Sequence, residues 1–311
     1  MGTTHRLFFS VICLWLGFLG NMPLQAQSTY TQDTTLATEA LPKISTKVTY
    51  LAAGAGLAYV GGLFVLNEAW YKEGERSAFH WFNDSHEWKQ IDKVGHFWSS
   101  FHLSRLGVDA LRGAGFSEKK AIWWGSAMGL ALLTPIEYFD GRSPAYGASA
   151  SDIAANAAGS LAVLGQQLAW QEIRITPKFS FHTTKYAAQR PNVLGNGFPE
   201  EVLKDYNGHT YWLSVDVVKF LPANSMYPKW LNVAAGYGAE EMVYNDLATN
   251  RRLGFNAHRQ YYLSLDLNWQ AIPTQSKFLK GAFYVLNIFK FPAPALEYSR
   301  PNGLKGHWLY F

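Results

Sequence analysis

The stretch SEKKAIWWGSAMGLALLTPIEYFDG, residues 117–141, decides the fold of the first half of the chain. Ser117 is a favoured N-cap residue, and Gly141 is a favoured residue at a helix end. Apolar residues recur between these two signals at helical spacing. The stretch therefore predicts one long helix.

Two further helices flank this stretch. One runs from about Glu87 to Leu111, and the other starts near Ser149 or Ser151 and reaches about Glu172. Short turns between consecutive helices predict antiparallel neighbours in a bundle. Upstream, Val48 to Leu66 has 19 residues without a charge, which is long enough for either a transmembrane helix or a buried, membrane-adjacent helix. We therefore expect about four helices within residues 47–174.

Polar residues interrupt the apolar faces of these helices. Within each helix they are three or four residues apart, so they share a face. His96 lies 19 residues before Gly115 and Glu137 lies 22 after it, which places both at a similar level on antiparallel helices. We predict that the polar residues form one cluster, and its members are Asp92, His96, Glu137, Asp140, Asp152 and Asn156.

An imidazole grouped with carboxylates fits two kinds of site. The first is a structural network that organises the bundle and binds a partner or a lipid headgroup. The second is a hydrolytic site acting on an envelope lipid or glycan through acid–base chemistry or a metal. The candidate metal ligands are His96, Glu137, Asp140 and Asp152. No zincin, Walker, dinucleotide-binding or Gly-x-Ser-x-Gly motif assigns a reaction or a cofactor.

Purely structural interpretations also fit single members of the cluster and a second group of polar residues. Ser149-x-x-Asp152 fits a capping box, in which Asp152 serves only the helix terminus. His102, Arg105 and Asp109 form a separate stripe, interpreted as a solvated face with an Arg105–Asp109 ion pair.

The polar motifs carry a family resemblance. Asp92-Lys93-x-x-His96, Glu137-x-x-Asp140 and Ser149-x-x-Asp152-x-x-x-Asn156-x-x-Gly159 resemble the YfiM-like family of predicted periplasmic lipoproteins of unknown function. They are similar, more distantly, to VanZ-like membrane proteins. The resemblance covers roughly Trp88 to Trp170 and implies a helical envelope protein with these polar residues grouped. It implies no established reaction.

The N-terminus predicts export. A basic pair precedes an apolar run, and Leu24-Gln25-Ala26 suits signal cleavage, so residues 1–26 resemble a secretory signal peptide, with an uncleaved signal anchor as the alternative. Residues 27–46 are expected to be a flexible leader. Cys13, the only cysteine, would leave with the signal, although a lipoprotein needs a cysteine at its cleavage site. We expect a location in the cell envelope of a diderm bacterium, in the outer membrane or the periplasm.

Residues 175–311 change to a period of two, which predicts strands. Tyr211 to Val217 and Tyr262 to Trp269 each alternate apolar with polar residues. The whole chain is therefore expected to be α+β, with an antiparallel sheet packed on helices, or alternatively a small barrel or half-barrel. The terminal Phe311 is similar to the aromatic ending of outer-membrane barrel proteins.

Composition constrains the partner. Loss of Arg6 with the signal peptide would lower the formal net charge from +4 to +3, which is too small to indicate nucleic acid as the partner. With 12 Trp, 17 Tyr and 20 Phe the chain is rich in aromatics, which suit either a membrane interface or an ordinary core. We expect a membrane or another envelope component as the partner.

Overall fold

A computed structural model describes residues 54, 56, 57, 59–64 and 76–311. The expected signal peptide and flexible leader lie outside these residues, as does half of the apolar segment 48–66. The described residues of that segment are helical, and the Tyr59 hydroxyl donates to Leu132 O at 2.6 Å. A fourth helix of the bundle stays a prediction.

Three long antiparallel helices form the first part of the described chain, as expected. They are α1 (Ile91–Gly113), α2 (Glu118–Gly141) and α3 (Ala150–Trp170). Ser149 caps α3, because its side chain accepts a hydrogen bond from Asp152 N. All three helices pack against one another.

The helices meet through small and hydroxyl-bearing residues. A Cβ at Gly159 would overlap Phe97 O, and one at Gly129 would overlap Ser100 O, so only glycine allows these close approaches. The buried Ser160 Oγ lies 3.0 Å from both Ser100 Oγ and Ser104 Oγ. Close backbone packing with interhelical hydroxyl bonds is typical of helices packed in membranes.

Large apolar side chains lie on the outside of this bundle. The exposed ones on α2 and α3 include Trp123, Trp124, Met128, Leu161 and Leu168. Within the described part of the chain, no helix has both the length and the apolarity needed to cross a membrane.

Six antiparallel strands form one sheet in sequence order. The strands are β1 (Ile175–Phe181), β2 (His209–Val215), β3 (Leu231–Glu240), β4 (His258–Leu267), β5 (Ala293–Ser299) and β6 (Gly303–Tyr310). β1 and β6 do not pair with each other, so the sheet is open and the closed-barrel alternative is wrong. Shorter helices occupy the connections: α4 (Pro191–Leu194), α5 (Phe198–Lys204), α6 (Leu247–Arg252) and α7 (Lys277–Leu286).

The sheet buries its polar face and exposes its apolar one. Along β4, Ser264 and Asp266 are buried while Leu263 and Leu265 are exposed. β2, β3 and β5 also alternate buried with less buried residues, whereas residues 176–180 of β1 are buried on both faces. Buried polar residues include Ser180, Thr210, Ser214, Asn232, Gln260 and Glu297, and exposed apolar residues include Leu213, Tyr261, Leu296 and Tyr298.

Strong curvature encloses the polar face. The Tyr310 hydroxyl on β6 donates to Tyr262 on β4 at 2.7 Å and lies 3.1 Å from Thr210 Oγ1 on β2. Lys178 on β1 forms an ion pair with Asp266 on β4 at 2.7 Å. These contacts join strands that are not neighbours in the sheet, so they span its concave side.

Helix α1 packs on the β1–β2 edge of the sheet. His102 Nε2 donates to Pro177 O at 2.8 Å, and Arg105 donates to Gln270 Oε1 at 2.5 Å. Tyr284 on α7 donates to Asp109 at 3.2 Å. The interpretation of His102, Arg105 and Asp109 as a solvated face is therefore wrong. Arg105 is buried, and its hydrogen-bond partner Gln270 follows β4.

Candidate functional site

Two segments that precede α1 position the acidic side of the site. Residues 77–82 run beside the α2–α3 connection, where Phe82 N donates to Ala148 O and Ala148 N donates to His80 O, each at 3.0 Å. Trp88, Lys89 and Gln90 then adopt left-handed backbone conformations before α1 begins at Ile91. This turn carries the chain from Asp84 to Asp92.

Lys93 occupies the centre of the cluster. Its Nζ lies 3.0 Å from Asp92 Oδ2 and 2.8 Å from Asp152 Oδ1, and it also pairs with Asp84 Oδ2. Asp84 accepts hydrogen bonds from Ser149 at 2.6 Å and Ser151 at 2.9 Å. One lysine therefore ties the start of α1 to the start of α3.

His96 lies one helical turn beyond Asp92. Its Nδ1 lies 3.2 Å from Asn156 Oδ1, so this nitrogen donates its proton to the amide oxygen. Nε2 is 3.9 Å from both Asp92 Oδ1 and Asp152 Oδ1, which is too far for a hydrogen bond. Glu137 Oε1 lies 3.7 Å from Nδ1.

Glu137 is almost completely buried at the end of α2. Its Oε2 accepts a hydrogen bond from Ser149 N at 3.1 Å, while Oε1 has no hydrogen-bond partner. Burial raises the pKa of Glu137 to about 7, against the opposing effect of His96. In an ordinary capping box the Asp152 side chain would accept a hydrogen bond from Ser149 N. Here the side chain of Glu137, on another helix, accepts it.

The charges of the cluster shift one another. Burial and the neighbouring charge of Asp92 raise the pKa of Asp152 to about 6. Burial alone would lower the pKa of His96, but the carboxylates of Asp92, Asp152 and Glu137 together raise it. Burial alone would raise the pKa of Asp92, but the charges of His96 and Lys93 lower it. The carboxylates of Asp92, Asp152 and Asp84 raise the pKa of Lys93 despite its burial.

The structure brings together five of the six expected residues: Asp92, His96, Glu137, Asp152 and Asn156. Asp140 is only half-buried and affects the cluster through its charge, which raises the pKa of Glu137.

Sequence reasoning missed two contributors. Asp84 lies in a turn outside the periodic segments, and nothing in its spacing signals a role. Tyr206 lies between α5 and β2, and its hydroxyl donates to Asp92 Oδ1 at 2.9 Å. Through Tyr206, the second half of the chain closes one side of the site.

Residues 79–166 match a family model described as "Predicted periplasmic lipoprotein (DUF2279)". The matched stretch contains every cluster residue except Tyr206. The description agrees with the expected periplasmic or envelope location and brings no reaction with it. No curated protein and no solved structure matches the chain significantly. The finer resemblance to YfiM-like and VanZ-like proteins stays a prediction.

Within the part of the chain that the structure describes, the geometry of Asp92, His96 and Asp152 suits a metal ion. Each offers one ligand atom, and the three atoms lie within 4.8 Å of one another. Of the four ligands expected from sequence, His96 and Asp152 belong to this group, Glu137 and Asp140 do not, and Asp92 joins it. Glu137 instead bonds to Ser149 N on the other side of the imidazole ring.

Proposed function

We propose that this protein is an exported, membrane-associated envelope protein that binds the lipid bilayer through the apolar outer faces of its sheet and bundle. Its buried polar cluster holds the helices in the arrangement that presents those faces. The single observation that carries the proposal is the reversed polarity of the sheet, which buries polar side chains and exposes apolar ones.

The reversed polarity favours lipid over water as the medium around the sheet. A soluble sheet normally turns its apolar face to the core, because each Å² of apolar surface removed from water stabilises the fold by about 25 cal/mol. Here Leu213, Leu263 and Leu296 lie side by side in register across β2, β4 and β5, with Ala235 of β3 between the first two, and all three leucines are exposed. Contiguous exposed apolar surface marks an interaction site.

The bundle supports lipid as the occupant rather than a single protein partner. Its exposed residues include Trp123, Trp124 and Leu161, while its interior combines serine and glycine with the apolar Phe101, Val108 and Val163. Two different elements thus carry large apolar side chains on their outer faces. One surrounding apolar medium explains both faces, whereas a second copy of the chain would explain the face that it covers.

Aromatic residues at the end of the chain fit the edge of such a medium. Trp308 and Phe311 are exposed, and Tyr298 lies exposed on the neighbouring strand. Amphipathic aromatic rings concentrate at membrane–water interfaces. The family described as periplasmic lipoproteins supports an envelope location in which lipid is available.

Vesicle flotation tests this proposal. The full chain is mixed with phospholipid vesicles and centrifuged through a density gradient, and we expect it to float with the lipid in both low and high salt. The double variant Leu263→Asn and Leu265→Asn removes two adjacent apolar side chains from the outer face of β4. We expect this variant to keep its fold by circular dichroism and to lose at least half of its flotation.

Leu253→Asn is the matched control, because Leu253 is about as exposed as Leu263 and Leu265 but follows α6 and is not part of a strand. It should float like the unmodified chain. A chain that stays in the dense fractions and runs as a dimer in size-exclusion chromatography would contradict lipid binding and assign the apolar faces to a second copy.

A hydrolase acting on an envelope lipid or glycan is the second candidate. The observation that favours it is a carboxyl group with a pKa near 7, Glu137, lying 3.7 Å from His96 Nδ1. Release of products from labelled envelope lipids or glycans by the unmodified chain, abolished in Glu137→Gln, is the result that would support it.

A further inference from the structure

Four carboxylates share the cluster with two cationic groups. The acids are Asp84, Asp92, Glu137 and Asp152, and the cationic groups are Lys93 and His96. With His96 protonated and every acid ionised, four negative charges meet two positive ones, so the formal charge is −2; protonation of Glu137, whose pKa is raised to about 7, still leaves −1. Uncompensated charge is costly in a buried site, and a divalent cation would offset it.

The free nitrogen of His96 faces the acids. Because Nδ1 donates its proton to Asn156, the unprotonated form of the ring directs the lone pair of Nε2 toward Asp92 and Asp152. A bare lone pair opposite two carboxylates is repulsive. Either a proton or a metal ion on Nε2 removes the repulsion, and a second hydrogen bond that fixes the ring is typical of metal-ligating histidines.

The distances fit a metal ion. Nε2 is 3.9 Å from each carboxylate oxygen, and an ion between three atoms at such spacings lies about 2.1–2.5 Å from each, close to the bond lengths of zinc and similar ions. Asp152 Oδ1 is buried, and its ion pair with Lys93 is the interaction that the metal would have to share or replace.

We propose that Asp92, His96 and Asp152 bind one divalent transition-metal ion such as Zn²⁺, and that Lys93 competes with it. Lys93 already lies 2.8 Å from Asp152 Oδ1, so it neutralises part of the charge that attracts the metal. The side chains of Asp92 and His96 keep 24% and 17% of their surface exposed, which leaves room for water on the metal. This proposal is independent of membrane binding.

Calorimetric titration with ZnCl₂ tests the site. The full chain, prepared without a histidine tag and stripped with a chelator, is expected to bind one equivalent of Zn²⁺. His96→Gln should weaken binding at least about tenfold. His258→Gln is the matched control and should change nothing, because His258 lies 3.9 Å from a single carboxylate, Glu240.

Lys93→Met separates a metal site from a structural network. Removing the competing charge should tighten Zn²⁺ binding at least about tenfold, because the two like charges no longer repel. It should also make the melting temperature depend more strongly on Zn²⁺. Absence of stoichiometric binding, equal affinity in His96→Gln, or weaker or unchanged affinity in Lys93→Met would each overturn the proposal. Lys93→Met decides the matter if His96→Gln fails to fold.

Discussion

Lys178 Nζ lies 2.7 Å from Asp266 Oδ2, and neither side chain has any exposed surface. The two residues lie on β1 and β4, which are separated by two strands in the sheet. Asp266 also accepts a hydrogen bond from Ser214 at 2.6 Å, and Lys178 donates to Leu267 O at 2.7 Å. The sheet thus buries a charged pair while its leucines face outward. The proposed function rests on this polarity.

Removing one partner of this pair should be strongly destabilising. Lys178→Met leaves Asp266 buried without its cation, which costs about 3–5 kcal/mol of unfolding free energy. Lys204→Met is the control, because its partner Glu200 on α5 is half-exposed and lies 3.6 Å away, so that this pair contributes under about 1 kcal/mol. Denaturant unfolding measures both variants. A loss below about 1 kcal/mol for Lys178→Met would show that the concave side is hydrated.

The hydrogen bond from Tyr206 to Asp92 should couple the sheet-bearing half of the chain to the bundle. We expect Tyr206→Phe and Asp92→Asn each to destabilise the protein, and the double variant to lose less than the sum by about 0.5–3 kcal/mol. Tyr284→Phe with Asp109→Asn gives a comparison, because the Tyr284 hydroxyl donates a similar hydrogen bond to Asp109 at 3.2 Å. Strict additivity for Tyr206 and Asp92 would mean that the two halves are not joined at the site.

Close helix packing should make the glycines of α3 unequal. Gly159→Ala places a methyl group against Phe97 O and should cost about 1–3 kcal/mol. Gly165→Ala in the same helix meets open space and should be neutral or stabilising by up to about 1 kcal/mol. Equal effects, measured by thermal or denaturant unfolding, would contradict the packing of α3 on α1.

Acid should destabilise the fold through His209. Burial lowers the pKa of His209 to about 4, and Nε2 donates to Val202 O at 3.0 Å. Below about pH 6.5 His209 is protonated in the unfolded chain but stays neutral in the folded one. The free energy of unfolding therefore falls as the pH falls toward 4. Between pH 7 and 5, His209→Gln should lose about 2 kcal/mol less than the unmodified chain.

His86→Gln, at an exposed histidine, is the control for this comparison. It should follow the unmodified chain at both pH values. If His209→Gln does the same, His209 is not held in its neutral form by the fold.

Local signals in the sequence predicted the three long helices and most members of the polar cluster. Ser117 and Ser149 occupy the N-cap positions of α2 and α3, although only Ser149 caps through its side chain. Spacings of three or four residues place His96 with Asp92, and Asp152 with Asn156, on shared helix faces. Asp84 and Tyr206 reach the cluster through turns and long-range contacts, which leave no periodic trace. Alternation in β4 separated two faces, but the pattern alone does not tell which face is buried, because that depends on the medium outside the sheet.

Fluorophore scanning along β4 in the presence of vesicles tests membrane binding most directly. Single cysteines at Leu263, Ser264 and Leu265, in a Cys13→Ser background, carry an environment-sensitive label, and the vesicles contain a lipid-attached quencher. We expect strong quenching at Leu263 and Leu265 and weak quenching at Ser264, with the period of two that the burial pattern gives. Equal quenching at all three positions, or none at Leu263 and Leu265, would contradict the account.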